Sequence, residues 1–222
     1  MKIFVVYWHP EPKSFSGAMF HAACETLTEA GHELRTSNLY EMRFDPISSR
    51  GNFTTIKDPS YLKQQIEELY ATDKNGFSAE VESELKKIEW CDLMIWQFPL
   101  WWFGLPAVLK GWVDRVFVMG RVYNRGQIYE NGVFRGKRAL LSLTTGGSEE
   151  AYRKAGSNGD IAAILRPIHR GILQFVGFDI LAPHVVYEPA HLTDPQRLQH
   201  LASYAARMQR IAEESPIEVG IY

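Results

Sequence analysis

The stretch that decides the fold is Asp92-Leu-Met-Ile-Trp-Gln-Phe-Pro-Leu-Trp-Trp-Phe-Gly-Leu-Pro-Ala-Val-Leu-Lys-Gly-Trp-Val-Asp-Arg-Val-Phe117. Its first five residues are nearly all apolar, which is typical of a strand buried on both faces of a parallel sheet. Pro99 and Pro106 restrict the backbone, so we expect the strand to end before Phe98. From Leu105 to Val116 apolar residues recur at helical spacing, which predicts a helix that begins near Pro106.

The loop between this strand and this helix carries three adjacent aromatic residues, Trp101, Trp102 and Phe103. In open α/β sheets, ligands bind where loops leave the carboxyl ends of the strands. Three rings on such a loop can form a wall for a flat, conjugated ligand. They can equally cap the core or fill a subunit interface. The loop alone leaves these alternatives open.

The composition limits the class of protein. The chain has 222 residues, of which 45% are hydrophobic, and this suits one domain with a substantial core. A net charge of −2 without long runs of like charge argues against nucleic acid or an anionic membrane as partners. No segment has the roughly 20 apolar residues of a membrane span, and the amino terminus is too short an apolar run for a signal peptide. Because Cys24 and Cys91 lie far apart, we expect neither a disulfide nor a zinc site, but a soluble cytoplasmic protein.

The whole chain alternates strand-like and helix-like segments. Strands are predicted at Lys2–Trp8, His32–Asn38, Asp92–Trp96, Arg138–Thr144 and Asp179–Val186. Helices are predicted from Ser14 or Ser16 to Gly31, at Tyr61–Tyr70, at Ser78–Glu89, at Asp160–Val176 with a kink or late start at Pro167, and at Asp194–Glu214 with Asp194 as cap. Asn131-Gly132 predicts a loose hairpin within Arg121–Arg135. This order predicts an α/β fold, a doubly wound five-stranded parallel sheet with helices on both faces, in a single domain over residues 1–222.

Two more candidate sites lie at the carboxyl ends of strands. Ser14 and Ser16 open the first helix, whose amides and dipole favour a phosphate, although serine here also serves simply as a cap. Thr144-Thr-Gly-Gly147 follows the fourth strand, and its bare backbone could approach a planar ring. The first turn lacks both G-x-G-x-x-G and the P-loop motif, which argues against an ordinary Rossmann domain and a P-loop nucleotidase. All three loops are expected to meet at one edge of the sheet.

Motifs along nearly the whole chain are those of one known family. They are Phe98–Trp112 above all, with Asn38-Leu-Tyr40, Asp45–Arg50, Lys57-Asp-Pro59, Phe134-Arg135, Thr144–Ser148 and Gly171-Ile-Leu173. In these motifs the chain resembles the flavodoxin-like NAD(P)H quinone oxidoreductases, often called DT-diaphorases. The resemblance implies a flavin enzyme with FAD bound across a homodimer. Such an enzyme passes a hydride from NAD(P)H to the flavin and then to a quinone, by a ping-pong mechanism.

The resemblance also implies roles for single residues. The cofactor-binding residues would be His9, Phe15, Ser16, Ala18, Gln64, Pro99, Leu100, Trp101, Trp102, Phe103, Thr144, Thr145, Gly146, Gly147, Tyr152 and Arg197, with Gln64 supplied by the second subunit and Arg197 near the adenosine. Trp102, Phe103, Tyr123 and Arg125 would bind the substrate. Because Arg125 stands where the family has a second tyrosine, we expect a more polar acceptor pocket.

Chemistry would fall to Tyr152, Asn158, Gly146 and Gly147, which the resemblance places at the polar edge of the flavin ring. Asn158 stands where mammalian members have a histidine. Metal-binding members carry a histidine pair, and here those positions are Arg170 and Gln174, so no metal is predicted.

Other functions stay open at this point. An FMN-dependent reductase of similar fold, such as an azoreductase or the ancillary oxidoreductase of a potassium-efflux channel, is the first alternative. A non-enzymatic flavin-binding or flavin-free redox-sensing protein that binds a partner through Trp101–Phe103 is the second. The long excursion Leu39–Lys74 favours FAD, since flavodoxins that bind FMN do not need it, and a segment of this length is usually functional or interfacial.

Overall fold

A parallel sheet forms the centre of the computed structural model, which describes residues 1–220; the last two residues of the predicted domain lie outside that range. The strands are β1 (Lys2–Tyr7), β2 (Glu33–Asn38), β3 (Leu93–Pro99), β4 (Arg138–Thr145), β5 (Asp179–Ile180) and β6 (His184–Tyr187). Their order is β2-β1-β3-β4, and both β5 and β6 pair in parallel with the far edge of β4. The sheet therefore has five positions, and the prediction of a doubly wound α/β fold is confirmed.

Six helices cover the two faces of this sheet in the described range. They are α1 (Phe15–Glu29), α2 (Gln64–Lys74), α3 (Ala79–Trp90), α4 (Ala107–Val116), α5 (Ile161–Ile168) and α6 (Asp194–Gln209). On one face, α3, α4 and α5 bury a core that includes Trp96 and Trp112. On the other face, α1 and α6 pack together over Met19, Leu27 and Tyr204. No helix within residues 1–220 has both the length and the apolar character needed to cross a membrane.

Strand β3 runs further than the sequence predicted, because it continues through Phe98 and Pro99. The expectation that these residues end the strand was wrong. The last residue of β3 that pairs with β1 is Gln97, whereas Phe98 and Pro99 pair only with β4, opposite Leu143 and Thr144. Pro99 therefore sits where β3 has become an edge strand, and proline is tolerated there because no ladder hydrogen bond is lost.

The predicted fifth strand, Asp179–Val186, is split into β5 and β6, and Pro183 lies in the gap between them. Proline cannot donate to a ladder. The pairing with β4 therefore stops at Ile180 and resumes at His184, directly after the proline. The hairpin predicted within Arg121–Arg135 is also wrong, since the segment holds isolated bridges and a single helical turn at Tyr129–Asn131. Gly132 is needed there for a different reason: a side chain would collide with the backbone of Gly177.

Local signals set most helix boundaries. Ser14 caps α1, accepting a hydrogen bond from the Gly17 amide at 3.1 Å, and Ser78 caps α3. The cap of α6 is Thr193 in a capping box, so the prediction of Asp194 was off by one residue. Helix α5 ends at Ile168 and continues as a wider turn over His169–Leu173, which follows from the amide that Pro167 lacks. The short helix predicted at Tyr61–Tyr70 begins and ends later, as α2.

The excursion over residues 39–74 is fixed firmly to α4. Arg115, itself buried, donates to Asn52 Oδ1 at 2.7 Å and to the Asp45 carbonyl at 2.6 Å. Gly111 permits this contact, because a side chain there would collide with Pro46. The excursion is thus an ordered surface segment held by a buried cation, and its outer side faces solvent.

Candidate functional site

A cavity of about 570 Å³ opens at the carboxyl ends of β1, β3, β4 and β6. It is lined by His9, Pro99, Leu100, Trp101, Trp102, Thr144, Thr145, Gly146, Glu188, Pro189 and Ala190. Eight of these residues are ones that the sequence predicted, and three, on the loop after β6, were missed. The position is the one at which open α/β sheets bind ligands.

The aromatic loop is a tight turn in strained backbone. Trp101 and Gly104 exchange hydrogen bonds, with N···O distances of 3.3 and 3.0 Å. The two residues between them, Trp102 and Phe103, both have positive φ, at 50° and 59°. Such turns normally hold Asn-Gly, and each bulky residue in this region costs about 1–3 kcal/mol. Strain of this kind clusters at functional sites, and here it raises a 97% exposed Trp102 ring over the cavity.

Trp101 forms the base of the aromatic loop and packs against residues from the end of β1. Its ring meets the Trp8 ring edge to face at 5.2 Å and lies 6.3 Å from the His9 ring. Sequence analysis did not single out Trp8, although its place at the end of a predicted strand was a usable signal. The contact fixes Trp101 in one orientation at 44% exposure, so a flat face is available to a ligand.

The loop after β4 offers backbone rather than side chains. A Cβ added to Gly146 would meet no described atom within 4 Å, whereas one added to Gly147 would lie 3.0 Å from Asn158 Nδ2 and 3.3 Å from the Tyr152 ring. Tyr152 is buried, and its ring centroid lies 6.3 Å from that of Phe103. Tyr152 and Asn158 therefore sit directly behind Gly147, between the aromatic turn and the glycine loop.

The residues proposed for the first turn behave differently from one another. Ser14 is committed to capping α1, and the buried Ser16 hydroxyl accepts a hydrogen bond from Gln97 Nε2 at 3.0 Å. Phe15 packs on the core below α1, and Ala18 lies one turn further along the helix. What this turn presents to a ligand is therefore the amides and dipole of the helix start, which favour an anion, rather than serine hydroxyls.

A second cavity, of about 470 Å³, holds two more of the predicted residues. Gln64 and Tyr123 line it, together with Glu68 and Phe175, which the sequence analysis missed. Glu68 is buried and its pKa is raised by burial, while its carboxylate accepts hydrogen bonds from the Met119 amide and from Gln64. Within one chain these residues do not join the first cavity. Arg125 is exposed in the turn that follows Tyr123.

Arg197 also lies outside the first cavity but beside its rim. Its guanidinium donates to the Pro189 carbonyl at 3.0 Å and to Asp194 at 2.7 Å. It thereby ties the start of α6 to the loop after β6.

Burial favours the neutral form of two histidines, His9 at the cavity and His169 in the interior. Burial lowers the pKa of His9, whose Nδ1 lies 3.0 Å from the Glu11 amide. Burial lowers the pKa of His169 to about 4. Neither imidazole supplies a positive charge to the cavity at neutral pH.

The two positions considered for a metal hold an arginine and a glutamine that contact each other instead. Arg170 contacts Gln174 Oε1 and Glu130, both at 3.4 Å, and its guanidinium lies 4.1 Å from the centre of the Tyr129 ring. Within residues 1–220, His, Cys, Asp and Glu form no group of three or more that could hold a metal ion. The absence of a metal stays a prediction.

Comparison with known proteins shows relatives along almost the whole chain. A model of the flavodoxin-like fold matches residues 1–211. The rat ribosyldihydronicotinamide dehydrogenase [quinone] is 42% identical over 97% of this chain and 94% of its own length. The guinea pig (Cavia porcellus) NAD(P)H dehydrogenase [quinone] 1 is also 42% identical, over 96% of this chain and 78% of its own length. A Klebsiella pneumoniae protein whose crystal structure is described as a quinone reductase superposes with a TM-score of 0.93 at 36% identity, over 98% of this chain and 87% of that one.

The family match and the superposition agree with the fold found in the structure. The chain belongs to the flavodoxin-like family that includes the NAD(P)H dehydrogenases [quinone].

Proposed function

We propose that this protein is an NAD(P)H:quinone oxidoreductase that binds FAD and transfers a hydride from NAD(P)H, through the flavin, to a quinone or similar acceptor. The observation that carries the proposal is the cavity itself, which places an aromatic wall on one side and the bare backbone of Gly146 on the other. The flavin would supply the hydride chemistry, which no side chain can perform. The ping-pong order follows if donor and acceptor use the same open ring face in turn.

The residues present fit a flavin on several counts. The open space at Gly146 leaves room for a planar ring against backbone, and the Thr144–Gly147 loop can direct amides at its polar edge. Trp101 and Phe103 offer apolar ring faces, and the start of α1 offers a helix terminus for a phosphate. A cavity of about 570 Å³ lies within the range of small-molecule sites.

Within this site the chain's own residues would position the bound ligands, shield them from water and stabilise charge on the ring. Trp102 and Phe103 would cover the exchanging ligands and exclude water from the reacting faces. Tyr152, packed behind Gly147, would hold the glycine loop in place and donate toward the polar edge of the ring. Asn158 would donate a hydrogen bond but cannot take up a proton.

The second cavity supports a homodimer in which each chain completes its partner's site. Gln64 and Tyr123, both expected near substrate or cofactor, line this other cavity instead of the first one. The excursion beside it exposes large apolar side chains, namely Tyr40, Met42, Ile47, Ile56, Tyr61, Leu62 and Ile66. Apolar surface of this extent on one segment is typical of an interface. A two-fold dimer would place the second cavity of one chain against the first cavity of the other.

The direct test begins with the purified protein. We expect a yellow protein that releases FAD on heating, identified by its mass, and that oxidises NAD(P)H in continuous turnover only when a quinone is supplied. Initial rates at several fixed quinone concentrations should give parallel double-reciprocal lines, the mark of ping-pong order. A colourless protein that takes up neither FAD nor FMN would contradict the proposal and favour the partner-binding alternative.

Phe103→Ala should weaken flavin binding about tenfold, the effect of losing one aromatic face worth ~1.4 kcal/mol. Because Phe103 is 50% exposed, the free energy of unfolding of the apoprotein should change by less than about 1 kcal/mol. Fluorescence titration with FAD and thermal unfolding of the apoprotein measure the two quantities. A loss of ~3–5 kcal/mol in the apoprotein would instead mean that Phe103 belongs to the core.

Ile66→Glu should convert the flavin-loaded dimer to monomer, because it places a charge in the apolar surface beside the second cavity. Sedimentation velocity at micromolar concentration, with saturating FAD, gives the oligomeric state. Leu198→Glu is the matched control, since Leu198 is also an exposed apolar residue but lies on α6. If the wild-type protein sediments as a monomer under these conditions, the dimer proposal is wrong.

A further inference from the structure

Glu188 is a strained acidic residue on the wall of the first cavity. Its φ is +37°, a left-handed backbone that bulky residues rarely adopt, and it directly precedes Pro189. A following proline pushes a residue towards extended backbone, so this conformation is disfavoured twice. The surrounding structure holds the strain through the Arg197 bond to the Pro189 carbonyl and through the His191 amide, which donates to the Glu188 carbonyl at 2.9 Å. Backbone strain that is maintained at a cavity wall points to a function for the side chain.

The sheet fixes where this carboxylate lies. The last residue pair between β4 and β6 is Thr145 with Tyr187, so Glu188 follows at the level of Gly146. Moving from the end of β1 through β3 and β4 to β6 crosses three strand spacings, about 14 Å in all. Glu188 and His9 therefore mark opposite ends of the cavity, with the aromatic turn between them.

The arrangement of α1 and α6 indicates which part of a bound flavin would reach Glu188. Helices α1 and α6 pack side by side on one face, and Glu188 lies in the loop that leads into α6. If the flavin ring lies between Trp101 and Gly146 and a phosphate lies at the start of α1, the portion beyond that phosphate is directed toward the start of α6. In FAD that portion is adenosine, whereas FMN ends at the phosphate.

The chemistry of the position suits adenosine. Among the described residues that line the cavity, Glu188 carries the only formal negative charge, and its side chain remains about one-third exposed. The nearby His191 Nδ1 lies 3.7 Å away on the surface, and Arg197 is bonded to Pro189 and Asp194 instead. An ionised carboxylate only accepts hydrogen bonds, so ribose hydroxyls and an adenine amino group are suitable partners. The phosphate of FMN, at the start of α1, would stay at the opposite end of the cavity from Glu188.

We propose that Glu188 favours FAD over FMN: its carboxylate accepts hydrogen bonds from the adenosine half of FAD, which FMN lacks. The inference rests on the proposed flavin function and adds a determinant of which flavin is held. Glu188 would act through binding, so its effect appears in cofactor affinity and not in the chemistry of hydride transfer.

The test measures the binding of three flavins to the apoprotein, namely FAD, FMN and riboflavin. Binding is monitored through the quenching of flavin fluorescence. The variants are Glu188→Gln, which removes the charge, and Glu188→Asn, which removes it with a residue that tolerates positive φ. The matched control is Glu29→Gln, the same charge change at an exposed position at the far end of α1.

Wild type should bind FAD more tightly than FMN. Both Glu188 variants should weaken FAD binding about tenfold and leave FMN binding unchanged, so that the preference for FAD over FMN falls about tenfold. Riboflavin, which has neither phosphate nor adenosine, should bind all four proteins alike. Glu29→Gln should leave all three Kd values unchanged.

Two other outcomes are separable from each other. An unchanged ratio of FAD to FMN affinity in both Glu188 variants, with riboflavin still bound, would overturn the role of Glu188 and leave the proposed function standing. Failure of the wild-type protein to bind any of the three flavins would overturn the proposed function, and this inference with it. Thermal unfolding of each apoprotein shows whether a variant has folded, and Glu188→Asn decides the matter if Glu188→Gln has not.

Discussion

Gly146→Val is expected to reduce flavin affinity about a hundredfold while the protein remains folded. A side chain at this position meets no described atom within 4 Å, because it points into the open cavity rather than into packed structure. Overpacking a filled site costs up to ~3 kcal/mol, and here the occupied volume is that of the ligand. A cost of this size corresponds to about two orders of magnitude in Kd. The apoprotein should lose little stability, since nothing in its own structure is displaced.

The measurement pairs flavin titration with thermal unfolding of the apoprotein. Ala182→Val is the matched control, because it introduces the same side chain at an exposed position in the gap between β5 and β6. Gly147→Ala gives a useful contrast: its new methyl group would press on Asn158 and Tyr152, so it should lower stability as well as affinity. A Gly146→Val protein that keeps the wild-type Kd would show that no ring approaches this backbone.

The loops of the site could be predicted from the sequence because one topological rule places them. Strands β1, β3 and β4 were identified from short apolar runs, and parallel strands bring their carboxyl ends to a common edge. The same rule also applied to the fifth strand, but Glu188 was not identified there. Pro183 split that strand, and Pro189 predicted extended backbone where the structure has positive φ. The loop after β6 therefore gave no local sign of its role.

The backbone conformation of the aromatic turn could not be predicted from its amino-acid sequence. A turn with two residues of positive φ normally requires Asn-Gly, and Trp102-Phe103 gives the opposite signal. Tertiary contacts supply the missing energy, including the edge-to-face packing of Trp101 on Trp8. Long-range contacts of this kind leave no short-range pattern.

Capping side chains, which act on residues close in sequence, were the most informative signal for where helices begin. Ser14, Ser78 and Asp160 all cap helices by accepting an amide hydrogen bond, as their side chains allow. Gly132 shows the limit of this reasoning. Its place after Asn131 suggested a hairpin turn, but its real constraint is the close approach of Gly177 from a distant segment.

The geometry around Gly147 limits which groups can stabilise negative charge on the flavin. Asn158 is tied to Ala151 through its backbone amide at 2.8 Å, and its side chain lies beside Gly147. Arg153 is exposed and pairs with Glu149 at 3.7 Å, so it is not directed at the cavity. Burial lowers the pKa of His9, and it lowers the pKa of His169 to about 4, so the His169 imidazole is uncharged between pH 6 and 8. The residues nearest to a Cβ at Gly147 are Asn158, Tyr152 and Ala151, and none of these is a histidine.

Reduction of the flavin by NAD(P)H should accordingly depend little on pH between about 6 and 8 in the wild-type protein. Asn158→His should introduce a new ionisation in that window, since an unperturbed histidine has a pKa near 6.5. The sign follows from charge: the imidazolium present at pH 6 would stabilise negative charge arriving at the ring, and the neutral imidazole at pH 8 would not. A charge-assisted hydrogen bond adds on the order of 1.5 kcal/mol, so the variant should react about tenfold faster at pH 6 than at pH 8.

Stopped-flow absorbance of the flavin across this pH range measures the effect, in wild type and in Asn158→His. Asn158→Gln is the matched control, because it keeps an amide of similar reach to the histidine and carries no titratable group. A wild-type profile that already titrates like a histidine would contradict the expectation. His9→Asn would then identify the source, since His9 lines the cavity and its pKa is lowered less far than that of the buried His169. Loss of the titration in His9→Asn would transfer the proton-handling role from the Tyr152–Asn158 side of the site to the end of β1.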